Sequence, residues 1–407
     1  MDKGIIKRIG KAILPVLFMT AISGCSDEIT ETKAVIVTAA PVTSTTAETT
    51  EITSDTTTVT TTTVTTEAEE DYIGRIIADM TNEEKAGQVL LARYPQVDGA
   101  EKMDEYNLGG YTFYAADFEN RTAEEMTALI DGIQEASEIP AFMAVDEEGG
   151  TVVRVSKWPQ FRDTPFSSQN VLGKGGEEII EAETDEKSKL LLSLGLNLNL
   201  APVADYTDNK WAYIYDRTFG QDPETTGRYI ALTIDTMNKN KIGSCLKHFP
   251  GYGDNIDTHT GIATDTRTAE EFETADFIPF RYGIDAGATA VMVNHNIVTA
   301  FDSERPASVS PEVHRILREE LGFDGVIITD DMGMDAMLGY VTDESVYVAA
   351  LLSGNDLVCT SDIETAYNDI LAALNDGRIS ENRIDESIRR ILSMKISLEI
   401  IDSTHTG

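Results

Sequence analysis

The 407-residue chain is poor in several things that would settle its class quickly. It has three cysteines, Cys25, Cys245 and Cys359. The last two sit in apolar, strand-like runs, so they read as buried thiols and not as a disulfide or a cysteine nucleophile. Bases are scarce as well: 32 Lys and Arg stand against 70 Asp and Glu, a formal charge of −38. That balance excludes attraction to nucleic acid through net charge, so no nucleic-acid partner is expected. Long hydrophobic runs are missing. The longest, Ala12 to Ile22, is too short to cross a bilayer as a relaxed helix. Histidine is rare too, with five in the chain, and two of them fall within one short stretch, 247–259.

The chain begins with a basic cluster, Lys3, Lys7, Arg8 and Lys11, followed by that apolar run. The run ends in Ala21-Ile22-Ser23-Gly24-Cys25, which resembles the bacterial lipobox. The pattern predicts a signal over 1–24, cut before Cys25, with Cys25 carrying lipid and anchoring the protein to the outer face of a membrane. An ordinary secretory signal with a chance cysteine is the alternative. Residues 25–70 are dominated by Thr and read as a disordered tether open to O-glycosylation, with a Thr/Val β-strand as the competing description. Loss of 1–24, where four bases face Asp2, would leave a charge of −41. A folded domain is expected over 71–400.

Within it, short apolar runs alternate with amphipathic stretches. Strands are predicted at Gln88–Ala92, Gly110–Tyr114, Ala141–Val145, Leu196–Ala201, Gly243–Lys247, Ala290–Asn294, Gly325–Thr329 and Asp356–Cys359. Helices are predicted at Ala123–Ala136, Glu224–Asn238, Ala269–Ala286, Pro311–Glu320, Glu344–Ser353, Ile363–Leu374 and Glu381–Leu398. Eight strands alternating with helices suggest an α/β fold, a single (β/α)8 TIM-type barrel. A doubly wound open sheet would give a similar string. Polar residues favour the barrel, because Asp146, Asp205, Lys247, His248, His295, Asp330 and Asp331 all fall at or just past strand ends. Barrel active sites are built there.

The most informative stretch is Lys247-His248-Phe249-Pro250-Gly251-Tyr252-Gly253-Asp254-Asn255-Ile256-Asp257-Thr258-His259. Its glycines and Pro250 forbid regular helix or central strand, and a carboxylate two residues from an imidazole can orient it and tune its charge. Asp146-Glu147-Glu148-Gly149-Gly150 with Arg154 forms a turn after the third strand, and a solvated acidic turn is its structural alternative. Arg217 lies in the long loop after the fourth strand, where it could bind a ligand or pair with Asp216 or another acid. Trp211, Tyr213 and Tyr215 precede it, as sugar-stacking or loop-packing residues. Ile327-Ile328-Thr329-Asp330-Asp331-Met332-Gly333-Met334 ends an apolar strand in two carboxylates. One is suited to act as a nucleophile and the other to cap the turn; spacing alone does not say which.

Taken together, Lys-His-Phe-Pro-Gly-x-Gly followed by Asp-x-His, and Gly-Phe-Asp-Gly-Val-Ile-Ile-Thr-Asp-Asp-Met-x-Met at 322–334, resemble glycoside hydrolase family 3. The match is closest to its NagZ-type β-N-acetylhexosaminidase branch and runs from Asp71 to Ser393. The resemblance implies a (β/α)8 barrel and retaining hydrolysis of terminal β-linked N-acetylglucosamine, with no metal and no cofactor. It also implies Asp330 as nucleophile, His259 as general acid/base and Asp257 as its dyad partner. Asp146, Arg154, Arg217, Lys247 and His248 match sugar-binding positions. Most retaining glycosidases use a second carboxylic acid where this branch has histidine. The chain departs from the pattern at Tyr252, where histidine is common, at Thr258 in place of serine, and at Glu147 in place of glutamine. The second domain of the β-glucosidase branch is not expected after the barrel, which favours the hexosaminidase branch.

Three other functions compete. A metal-dependent hydrolase would draw ligands from His248, His259 and His295, but Leu90-Leu91-Ala92-Arg93 lacks the His-x-His of amidohydrolase barrels. A phosphorylase would use phosphate as acceptor, which a neutral imidazole repels less than a carboxylate does. A catalytically dead glycan-binding lipoprotein would not require Asp257, His259 and Asp330.

Overall fold

The computed structural model describes residues 67–255, 262–334, 337, 340 and 343–401. Asp257, His259, Cys25, the signal and the tether up to residue 66 lie outside them. Helix Glu67–Asp79 leads into the domain.

Eight parallel strands form one sheet: β1 Leu90–Arg93, β2 Gly110–Phe113, β3 Phe142–Val145, β4 Leu198–Asn199, β5 Gly243–Phe249, β7 Ala290–Val293, β9 Val326–Thr329 and β10 Val358–Thr360. A separate two-stranded pair is made by β6 Thr264–Asp265 and β8 Ile297–Val298. The spatial order of the main sheet is β10-β1-β2-β3-β4-β5-β7-β9. Its two ends meet through the parallel bridge Ile328–Leu357, with Asp356 N donating to Ile327 O at 2.8 Å. The sheet therefore curls into a barrel with helices outside, as the alternation of strand and helix required.

All eight predicted strands are present, and the shifts at their ends have physical causes. Strand residues are buried on both faces, as in Phe142-Met143-Ala144-Val145, because helices cover the outside and side chains fill the lumen. The fourth strand is shorter than its apolar run. Asn197 spends its side chain on Met143 N, and Pro202 has no N–H to donate. The fifth is longer, with a register shift between Lys247 and Phe249 as it enters the loop.

Helix ends carry clear local signals. Thr122 and Glu125 make a capping box before Ala123–Glu135, and Asp222 caps Pro223–Asn240 with proline in the first turn. Two predicted helices each contain a π turn, Phe272–Asp276 and Ile316–Glu320. Helix Glu177–Ser193 was not predicted. Its buried face includes Thr184, Lys187 and Ser188, so it shows no clean apolar stripe.

Candidate active site

The carboxyl ends of the strands open into a cavity of about 640 Å³. Its lining includes Asp146 from the end of β3, Arg217 from the loop after β4, Lys247 and His248 from β5, and Asp330 and Asp331 from the end of β9. Arg154 and Glu148 line it too. Every site residue predicted within the described part of the chain thus reaches one cavity. The parallel barrel gathers them from distant parts of the chain: Asp146 and Lys247 are 101 residues apart.

Lys247 is the hub. Its Nζ lies 2.6 Å from Asp146 Oδ1 and 2.7 Å from Glu148 Oε1, with the side chain nearly sealed from water. Burial alone would drive the ammonium to lose its proton, but Asp146 and Glu148 hold its pKa above the ordinary lysine value. Glu148 is also gripped in bidentate fashion by Arg217, with Nε at 2.9 Å and Nη2 at 2.8 Å. Burial opposes its ionisation, yet Arg217 and Lys247 together keep the carboxyl well below the usual carboxylate range. The acidic turn after β3 is therefore not solvated: Glu147 and Glu148 are both buried. Glu147 accepts from the backbone N–H groups of Arg154 at 2.7 Å and Val155 at 2.8 Å, which fixes the path of the turn.

Arg217 continues the network, with Nη2 3.2 Å from His248 Nε2. His248 Nδ1 lies 2.7 Å from Asp205 Oδ2. A guanidinium can only donate, so Nε2 accepts from Arg217 and Nδ1–H donates to Asp205. Asp205 is fully buried and also accepts from the backbone N–H of His248 at 3.1 Å and of Tyr252 at 2.7 Å. Asp205→Asn presents an NH₂ where three donors converge. We expect a stability loss of about 1–3 kcal/mol and a raised KM, checked by chemical denaturation and steady-state kinetics.

Glu148 and Asp205 were missed as site residues, although both stand at strand ends in the sequence. Their partners are 69 and 43 residues away, so sequence gave no sign that they were paired. Arg154 is less tightly held, with Nη2 3.6 Å from Asp146 Oδ2 and the guanidinium 5.7 Å from the centre of the Tyr114 ring. Tyr252 is buried with Val203 and Ile214, edge-on to His248 at 5.5 Å. It packs the loop against the site. Of the aromatic trio, Tyr213 lines the cavity, whereas Trp211 is 94% exposed and does not.

At the far side, Asp330 Oδ1 accepts from Asp331 N at 2.9 Å. Asp331 Oδ1 accepts from Gly333 N at 2.9 Å, the turn-capping role expected for one of the pair. Burial raises the pKa of Asp331. His295 Nε2 lies 3.1 Å from Asp331 O and its Nδ1 2.8 Å from Ser308 Oγ, which braces the same turn from β7.

Cys245 and Cys359 are free and buried. Burial pushes the Cys245 thiol up to about 12 and that of Cys359 well above its ordinary value. A thiol reagent should leave both unmodified in the native protein and react with both on unfolding, a count best made in Cys25→Ala.

The family model for the glycosyl hydrolase family 3 N-terminal domain matches residues 81–394. A beta-hexosaminidase of Xanthomonas campestris pv. campestris is 33% identical over 239 residues, covering 56% of this chain and 70% of that protein. A glycoside hydrolase family 3 beta-N-acetylglucosaminidase from Paenibacillus sp. superposes with a TM-score of 0.74 at 28% identity, covering 79% of this chain. This chain spans 63% of that one, less than two thirds of its length. LpqI of M. tuberculosis superposes with a TM-score of 0.72 at 25% identity, covering 79% of this chain and 96% of its own. The chain belongs to glycoside hydrolase family 3, whose N-terminal domain forms its barrel.

Proposed function

We propose that this glycosidase is a retaining exo-β-N-acetylglucosaminidase. The observation that carries the proposal is the single cavity in which Asp330 faces the Asp146–Lys247–Glu148–Arg217–His248 network. Asp146, Lys247, Arg217, His248 and Arg154 offer a charged, hydrogen-bonding wall suited to sugar hydroxyls. The beta-hexosaminidase and beta-N-acetylglucosaminidase names of its relatives support the choice of sugar.

The reaction has two displacements. The Asp330 carboxylate attacks the anomeric carbon while the bond to the leaving oxygen breaks. His259, oriented by Asp257, gives that oxygen its proton. Water then attacks the glycosyl ester with His259 taking its proton, and Asp330 leaves as carboxylate. The roles of His259 and Asp257 rest on the sequence pattern.

Kinetics on aryl β-glycosides of N-acetylglucosamine, N-acetylgalactosamine, glucose and xylose test the sugar. The N-acetylglucosaminide should be turned over fastest, and faster turnover of the glucoside would sink the branch assignment. Running the same assay with and without phosphate and identifying the products separates hydrolysis from phosphorolysis.

We further propose that the protein is exported and anchored through lipid on Cys25, so that it meets glycans outside the cytoplasmic membrane. Labelled fatty acid should be incorporated into the wild type and not into Cys25→Ala. Equal labelling, or none in either, would remove the anchor.

A further inference from the structure

Arg267 stands outside the cavity lining, yet it ties together the two chain segments that flank residues 256–261. On the incoming side, its Nη2 donates to Gly251 O at 3.2 Å. On the outgoing side, it holds Asp265, the last residue of β6, through Nη2 at 2.7 Å and Nε at 3.0 Å. Nη1 reaches Asp276 Oδ2 at 2.7 Å, on the π turn of the following helix. The guanidinium lies over the Phe272 ring at 4.2 Å, which fixes its plane.

The neighbours show how closely this clasp is built. Asn255 Nδ2 donates both to Tyr252 O at 2.9 Å and to Asp265 Oδ2 at 2.7 Å, a second tie between the same segments. A Cβ on Gly253, whose φ is +53°, would sit 2.5 Å from Arg267 Cζ. A Cβ on Gly251 would sit 2.2 Å from Asp276 Oδ1. Glycine at both positions lets the loop backbone lie directly on the clasp. The outgoing segment is itself fixed, since β6 pairs with β8 and Ile297 N donates to Ala263 O at 2.9 Å. The incoming segment is fixed to the sugar-binding network through Tyr252 N and Asp205.

The segment between these anchors carries Asp257 and His259. We propose that Arg267 is a positioning residue: by clasping Gly251 to Asp265 and Asp276 it sets where the acid/base segment starts and ends relative to the cavity. Two buried carboxylates and one carbonyl need a planar cation with several donors at fixed angles, which lysine cannot supply. A small misplacement of a catalytic group costs far more rate than binding. The inference rests on His259 as acid/base.

The test compares kcat/KM for wild type, Arg267→Ala, Arg267→Lys, Asn255→Ala and His259→Ala on two aryl N-acetyl-β-glucosaminides. The 2,4-dinitrophenyl leaving group departs without a proton, and the phenyl group needs one. For Arg267→Ala we expect a loss of about 10²-fold on the phenyl substrate and a change within about threefold on the dinitrophenyl one. Arg267→Lys should recover only part of the loss, and Asn255→Ala should show the same selectivity more weakly. Azide, which attacks the glycosyl-enzyme without a general base, should raise turnover of the dinitrophenyl substrate in Arg267→Ala. Equal losses on both substrates would make Arg267 merely structural, and no loss would make it irrelevant; either overturns the proposal. If the Arg267 variants do not fold, Asn255→Ala decides by the same criterion. His259→Ala is the control: without a steep leaving-group dependence there, the acid/base assignment itself fails. If His259→Ala shows the dependence and the clasp variants do not, the clasp alone fails.

Discussion

Replacing Asp330 with glycine should lower kcat by about 10⁴-fold or more on activated aryl N-acetyl-β-glucosaminides, while the protein still folds and binds the sugar. The carboxylate ends a strand whose four residues are fully buried, and the mouth it lines also holds the charged groups proposed to bind the sugar. Binding energy at that wall cannot replace a missing covalent partner, so the loss should fall on kcat and leave KM within a few-fold. Glycine opens room below the anomeric carbon. Added azide should therefore restore turnover and release a glycosyl azide of inverted, α configuration, identified by nuclear magnetic resonance. Asp331→Ala is the companion measurement. Its carboxylate holds the Gly333 N–H, so it should cost stability and some rate, with no azide-dependent product. If Asp331→Gly is rescued by azide and Asp330→Gly is not, the two roles must be exchanged.

The second large effect is expected from Glu148→Gln. This side chain, almost sealed from water, is the shared partner of Lys247 and Arg217. Gln keeps the shape and removes the charge that the two buried cations share, leaving Lys247 with Asp146 and taking from Arg217 its bidentate carboxylate. Breaking a buried ion pair in this way costs about 3–5 kcal/mol, measurable by chemical denaturation. Lys247 and Arg217 should lose their fixed positions, with kcat/KM falling by about 10²-fold. The pH dependence gives an independent check. The folded carboxyl of Glu148 is held below its ordinary value of 4.5 by Arg217 and Lys247, against the opposing effect of burial. A carboxylate depressed by folding contributes stability that is fully present above the unfolded value and is lost as pH falls through the folded one. The stability gap between wild type and Glu148→Gln should be widest at neutral pH and should narrow on acidification below about pH 4.5. A gap that widens in acid would mean that the group is not ionised in the native state.

Much of this was legible in the chain itself. Short apolar runs marked all eight barrel strands, because a strand covered on both faces must be apolar nearly throughout. The loop starting at Lys247 was visible through its glycines and proline, and Asp330 through the abrupt end of Val326-Ile327-Ile328-Thr329 in two acids. Less legible was the helix Glu177–Ser193, whose inward face carries Lys187 bonded to Glu148 O at 2.7 Å. A polar side chain buried for a tertiary partner erases the local period that announces a helix. The β6–β8 pair was likewise invisible, being two residues on each side.

The sequence by itself determined the eight barrel strands, the strand ends that bear charge, and the family to which they belong. Tertiary structure decided which charges neutralise one another. The turn at Asp146 to Glu148 could have been solvated, and Arg217 could have paired with Asp216. Closing the barrel instead placed Lys247 between Asp146 and Glu148 and brought Arg217 across to Glu148 and His248. Such pairings depend on distance in space after burial. Coulombic attraction in a desolvated mouth selects partners that no sequence spacing encodes.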